Sequence, residues 1–264
     1  MIGRCLLLLL ISYESFAQTY VGPSHQAMGQ TGTALEGIYS ITANPAGLAG
    51  LERVAMSVGY QYHFFATDIT TQAALLGIPT RLGTWGLVAR RFGMDGAYHD
   101  TKIGFAFARR LGPRLSAGMS ASYHQLYIPN YLSVYSFVAD IGAQYHFDQG
   151  GTIGIQYTNV GNADYGATVY GTIPSFVKVG FSYPLAMVTL AADLAYRFEN
   201  SVSGHLGIAY RIGDVLCLRG GLSVNPLLQH AGFGFRWQQF VFDAAATFHP
   251  HLGMSPQIGV GYAF

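Results

Sequence analysis

Charge is what this 264-residue chain has least of. Asp, Glu, Lys and Arg together make up 10% of it, against roughly 25% in ordinary soluble domains. A soluble fold with so little charge would struggle to cover its surface. The formal balance is only +1, so no long-range field recruits nucleic acid or acidic partners. Cysteine is nearly absent. Cys5 lies in an apolar leader and Cys217 stands alone beyond it, which excludes a disulfide framework. Long apolar runs are missing too: no stretch after the leader approaches the 18 or so residues that mark a membrane helix. Metal spacing is also lacking. The nine histidines are scattered, and only His249 and His251, at an expected external loop, offer a chance pair. Ser122 and His124 share a strand face but have no Asn or Asp orienter nearby. No enzyme and no cofactor is expected.

What the chain does have is apolar and aromatic residues: 50% hydrophobic, with 34 Gly, 18 Tyr and 17 Phe. The start, "MIGRCLLLLLISYESFAQ", has a single positive residue, Arg4, then an apolar stretch, then small residues at Ser15 and Ala17. This predicts a secretory signal peptide over 1–17, cleaved after Ala17. The apolar stretch is shorter than the roughly 20 residues a membrane anchor needs.

From about residue 52 the pattern has period two. In "VAMSVGYQYHF", Val54, Met56, Val58, Tyr60, Tyr62 and Phe64 oppose Ala55, Ser57, Gly59, Gln61 and His63. The same holds for Ile103, Phe105 and Phe107 against Lys102, Gly104 and Ala106. Such alternation reads as strands with unlike faces. It places about fourteen of them, near 52–65, 69–79, 82–92, 99–110, 114–127, 131–147, 151–160, 174–184, 187–199, 202–212, 214–224, 229–238, 239–249 and 254–264. The second alternates poorly, which leaves twelve as the other count. A soluble β-sandwich also alternates, but here the apolar face recurs on nearly every strand while Lys, Arg, Asp and His fall on the opposite one. A transmembrane antiparallel barrel resolves this: apolar residues face acyl chains, polar residues face a lumen, and closure leaves no edge in hydrocarbon. Tyr60, Tyr62, Trp85, Tyr127, Tyr145 and Trp237 suit interfacial girdles. With an even count both termini fall on the periplasmic side, and the longest connection, about 161–173, lies outside.

Lumen-facing charges are expected to cluster in the second half: Lys178, Asp193, Arg197, His205, Arg211, Arg219, Arg236 and Asp243. They form either a polar path or latch for an inner segment, or an internal ladder of ion pairs filling a closed lumen. Glu36, the only acid in 18–51, is a candidate partner for a lumen Arg. The last strand puts Ile258, Val260, Tyr262 and Phe264 toward lipid and Gln257, Gly259, Gly261 and Ala263 toward the lumen. Its aromatic end, Tyr262 and Phe264, resembles the signal read by the barrel-assembly machinery.

Residues 18–51 do not alternate and are rich in Gly and small residues, as a disordered lead or a lumen plug would be. Within them "AMGQTGTAL" (27–35) and "ANPAGLAGL" (43–51) resemble the N-terminal hatch of FadL-like and PorV/PorQ-type outer-membrane barrels, where an "MGG-G-A" stretch precedes "NPAGL" and fourteen strands follow. Asn44, Pro45, Ala46 and Gly47 carry that motif, and Gln30 stands where the family usually has a second Gly. The resemblance implies a hatch over 18–51 and a barrel over 52–264, embedded in outer-membrane lipid. Its first functional implication is a non-enzymatic subunit or accessory of an outer-membrane complex such as the type IX secretion system of Bacteroidota, with secretion-system subunits or cargo as partners; the leader's "SFAQ" also resembles signals of that phylum. Its second is a FadL-like channel for hydrophobic small molecules such as long-chain fatty acids, in which the hatch blocks the lumen and substrates leave sideways through the wall. A simple porin is the third reading, and the hatch counts against it. A channel of the second kind calls for a continuous apolar cavity beside the hatch and an interrupted wall.

Overall fold

A computed structural model describes residues 20–65, 68–166, 173–198 and 201–264. The expected signal peptide and part of the longest connection lie outside these residues. Fourteen strands form one closed antiparallel barrel. In chain order they are β1 (Ala55–Tyr62), β2 (Ile69–Pro79), β3 (Thr84–Met94), β4 (Tyr98–Leu111), β5 (Leu115–Ile128), β6 (Leu132–His146) and β7 (Thr152–Thr158). Then follow β8 (Phe176–Leu185), β9 (Val188–Arg197), β10 (Ser201–Ile212), β11 (Leu216–Val224), β12 (Leu228–Trp237), β13 (Phe240–His249) and β14 (Gly253–Ala263). Each strand pairs with its neighbours in sequence, and β1 closes on β14 from Ala55 opposite Ala263 to Gln61 opposite Gln257. Closure gives every strand a partner on both sides over at least part of its length, which is what allows a sheet to stand in hydrocarbon.

The outer surface is greasy. Val58, Ile103, Met119, Ile155, Leu194, Leu206, Ile258 and many others are exposed on one parity of each strand. The opposite parity is buried inside: Ser57 and Gln61 on β1, Asp193 on β9, His205 on β10, Asp243 on β13, Gln257 on β14. In water such an outer face would be an aggregation hazard; in lipid it is the solvation shell.

The second strand alternates poorly in sequence for a physical reason. Its inward residues include Ala73 and Leu75, which are buried with Val88, Ala106 and Ala108 in an apolar cluster inside the barrel. The partners of that cluster come from the N-terminal segment: Tyr20, Tyr39, Ile41 and Leu48. Residues 20–51 thus sit within the lumen. They form a short helix α1 (Pro23–Ala27) and two 3-10 turns (Ile38–Thr42 and Pro45–Gly50). Pro45 opens the second of these where its missing N–H is harmless. Gly-rich inward faces make the room. A Cβ on Gly142 would strike the Asn44 side chain, and one on Gly154 would strike the Thr33 carbonyl.

Two expectations need correction. β7 has seven residues, too few for the 9–11 of an ordinary spanning strand. The longest connection leaves the barrel at the expected end, yet its described part folds inward: Ile173 is buried, and Tyr165 lines a cavity with Arg90 and Asp100.

Candidate lumen site: a bolted hatch beneath a notched wall

The hatch is bolted to the wall by polar groups on β6 to β13. Asp193 is the densest anchor. Its Oδ2 accepts hydrogen bonds from the Gly32 amide (3.0 Å), the Thr33 amide (3.1 Å) and the Thr33 hydroxyl (2.7 Å). Gln144 donates to the carbonyls of Thr33 and Leu35, both at 3.0 Å. Ser182 donates to the Ala34 carbonyl at 2.9 Å. A buried chain continues around the wall. Gly29 O lies 2.8 Å from His205 Nδ1 and accepts from Ser223 at 2.9 Å. His230 bridges Ser223 (3.0 Å) and Thr247 (2.9 Å), and Gln26 donates to Thr247. One proton arrangement satisfies the whole chain: His205 carries its proton on Nδ1 and His230 on Nε2.

The Asn-Pro-Ala-Gly motif is the hatch's internal clamp. Asn44 is fully buried. Its Oδ1 accepts from the Ala46 amide at 3.1 Å, which caps the second 3-10 turn. Its Nδ2 donates to Thr33 O at 2.7 Å, and Ala143 O and Ile155 O of the wall lie 3.1 and 3.3 Å away. Ala46 and Gly47 pack without space, so that a Cβ on Gly47 would meet the Leu35 carbonyl. Gln30 has φ 64, the left-handed conformation that glycine adopts at no steric cost. A glycine, which the sequence resemblance leads one to expect at this place, fits that geometry.

The remaining sequence-selected charges divide by depth. Arg219 Nη1 and Asp243 Oδ1 pair at 2.6 Å under α1. Lys178 faces inward from β8 with its ammonium 5.7 Å from the Phe176 ring centroid. Arg197 lies at the end of β9 in the inward register. Arg211 and Arg236 share the inward parity but are exposed at the opposite rim, around a pocket that also includes Asp214 and Cys217. Glu36 pairs with Arg110 at 3.0 Å and approaches His146 at 3.7 Å, so its partner comes from β4 and not from the second half. On β14, Tyr262 packs edge-on against Phe240 and Phe264, and the Phe264 amide donates to Val54 O at 2.9 Å. His249 is a turn cap: its Nδ1 accepts from the His251 and Leu252 amides, both at 3.1 Å. Among the described residues no group of three His, Cys, Asp or Glu is placed to hold a metal.

The expected clustering of lumen charges in the second half is incomplete. A second cluster lies on β3, β4 and β6, above the hatch. Arg90 Nη2 and Asp100 Oδ1 are 2.9 Å apart, and Lys102 Nζ is 3.9 Å from Asp140 Oδ2. With His124, Gln156, Tyr165, Val138, Ile173 and Phe176 they enclose a cavity of about 90 Å³. Alternation on β3 hides this cluster: Arg90 and Arg91 are adjacent, one inward and one outward, and only register separates them.

Beside this cavity the β6–β7 ladder ends early. It stops at Ile141 opposite Tyr157, while β6 continues to Leu132; beyond one hydrogen bond from the Val160 amide to Ala139 O at 2.9 Å, its stretch 132–140 pairs, among the described residues, only with β5. Asn159, at φ 56, turns the chain away. It is fully buried and is held from every side. Its amide donates to Asp140 Oδ1 at 2.9 Å, and its side chain bonds Ala163 and Ile173 at 2.8–3.0 Å. Outside the notch, Tyr135 and Phe137 are 65% and 72% exposed, among the highest values on the wall.

No known family matches the chain, and no curated protein sequence aligns with it. Solved structures do. The Pseudomonas putida toluene transporter TodX superposes with a TM-score of 0.70 at 13% identity, covering 94% of this chain and 99% of that one. A Pseudomonas aeruginosa FadL homologue superposes with a TM-score of 0.68 at 11% identity, covering 92% and 98%. The chain shares the fold of these barrels. At such identity the likeness is one of architecture.

Proposed function

We propose that the protein is an outer-membrane channel that takes hydrophobic small molecules in at the loop end and releases them sideways into the membrane. On this reading the leader at 1–17 delivers the chain for insertion. The observation that carries it is the early end of β7. A strand that stops at Thr158 beside a β6 reaching Leu132 leaves the outer part of β6, among the described residues, without a ladder partner beyond the Val160–Ala139 bond, next to an internal cavity. The hatch below, bolted by Asp193, Asn44 and Gln144, closes the straight path and leaves the side exit. The cavity differs from the continuous apolar one expected, because charged and apolar groups share its lining.

The test is uptake of labelled toluene by cells that lack their own hydrophobic channels. Expression of this protein raises the uptake rate, and a Val138→Trp variant, which fills the cavity, returns it to background. Equal uptake with and without the protein would sink the reading. The competing role as a PorV/PorQ-type secretion subunit gives a different result: the protein extracted in mild detergent would come out with stoichiometric partner proteins and confer no uptake.

A further inference from the structure

The cavity above the hatch holds four charges that cancel. Arg90 faces Asp100 and Lys102 faces Asp140, and Arg90, Asp100 and Asp140 are each 7% exposed. Asp140 is committed on both oxygens, to the Asn159 amide at 2.9 Å and the Ser120 hydroxyl at 3.1 Å. Lys102 is not. At 3.9 Å its ammonium lies beyond hydrogen-bond reach of Asp140, so its N–H groups are available to the cavity. His124 shares a 3.1 Å hydrogen bond with Ser122 and adds a polar edge.

Size and balance together restrict what fits. At rest, a volume of about 90 Å³ is below the ~150 Å³ cavity that holds a whole benzene ring, so a passing ring must widen it whereas a small head group fits as it stands. It takes a head group of a few atoms, and a tail must run past Val138, Ile173 and Phe176 toward the notch. A carboxylate head would bring a third negative charge beside Asp100 and Asp140 against only two cations, and an uncompensated buried charge is costly. An ammonium head would bring a third positive charge beside Arg90 and Lys102, again without a surplus counter-charge. A hydroxyl fits both needs: its oxygen accepts from Lys102 Nζ while its proton goes to a carboxylate of the cluster.

We propose that this cavity is a head-group site for neutral hydroxylated amphiphiles, alcohols or phenols with an apolar tail, and that it discriminates against fatty carboxylates. The proposal rests on the channel reading and specifies its substrate class. The test is calorimetric titration of the purified barrel in detergent at pH 8 with dodecanol, dodecanoate and dodecylamine. Dodecanol should bind about tenfold or more tighter than either ion, the cost expected of one poorly matched charge. Lys102→Met should lose most of the dodecanol affinity. Asp140→Asn keeps the acceptor for Asn159 but leaves a surplus cation, and should raise dodecanoate affinity about tenfold. Dodecanoate binding as tightly as dodecanol to the wild type, or no gain in Asp140→Asn, overturns the proposal. If no amphiphile binds while toluene still crosses, the head-group site is wrong and the channel reading stands. If neither occurs, both fall.

Discussion

The two sides of the barrel's inner wall hold the hatch by different chemistry. On β2 to β4 the contact is apolar: Ile41, Leu48 and Tyr39 pack against Ala73, Leu75, Val88, Ala106 and Ala108. On β6 to β13 it is polar: Gln144, Ser182, Asp193, His205, Ser223 and Thr247 meet backbone carbonyls, amides and hydroxyls of residues 26–35. Apolar packing tolerates small slips, whereas a hydrogen-bond chain fixes register. The comparison teaches that the apolar side supplies most of the docking free energy and the polar side supplies the placement.

The largest effect should come from the apolar side. Leu48 is fully buried, and Leu48→Ala should weaken docking by about 2–5 kcal/mol. Limited proteolysis would then cut the hatch while the barrel stays intact; an uncut hatch would shift the weight to the polar side. Next comes Asp193→Ala, which strands two amides and a hydroxyl at a cost of about 1–3 kcal/mol. It should displace residues 32–33 more than it loosens the whole hatch, which hydrogen exchange by residue resolves.

Acid sharpens the contrast. His25 on α1 is buried, and burial, followed by the charges of Arg219 and Lys178, lowers its pKa to about 3 from the ordinary 6.5. The docked hatch therefore prefers neutral His25. Its contribution is complete above about pH 6.5 and is lost progressively as the pH falls toward 3. Proteolysis of the hatch should speed up across that window, and less so in His25→Gln. The smallest effect belongs to Glu36→Gln. Glu36 and Arg110 form a pair with side chains 35% and 54% exposed, worth about 0.5 kcal/mol or less, so proteolysis should barely change.

The same contrast explains what was legible in the sequence. The outward faces were readable because lipid demands apolar residues at every second position, as on β14 from Ile258 to Tyr262. The closed fourteen-strand barrel followed from that rule. Inward residues obey no such rule. Leu75 and Val88 are apolar because a hatch touches them, and this blurred the alternation of β2. The Arg90–Asp100 and Lys102–Asp140 cluster joins three strands whose registers no local pattern reveals. The notch was hidden because period two runs on through Tyr157; the turn at Asn159 depends on a buried side chain whose partners, Asp140 and Ile173, lie 19 and 14 residues away. The Asn44 motif was visible as composition, but its role as a clamp to β6 and β7 was not.

The central claim is that solutes leave through the notch with the hatch in place. A disulfide between Met28→Cys and Gly207→Cys tests it: a Cβ on Gly207 would lie 2.8 Å from that of Met28 and 2.4 Å from the Met28 carbonyl oxygen, so the hatch backs off by about 1 Å to reach disulfide geometry, and oxidised and reduced forms of the same variant share that shift. Toluene uptake by the oxidised variant should equal that of the reduced variant, because the exit does not pass through the hatch. Uptake that stops on oxidation and returns on reduction would contradict the account and place the path through the hatch itself.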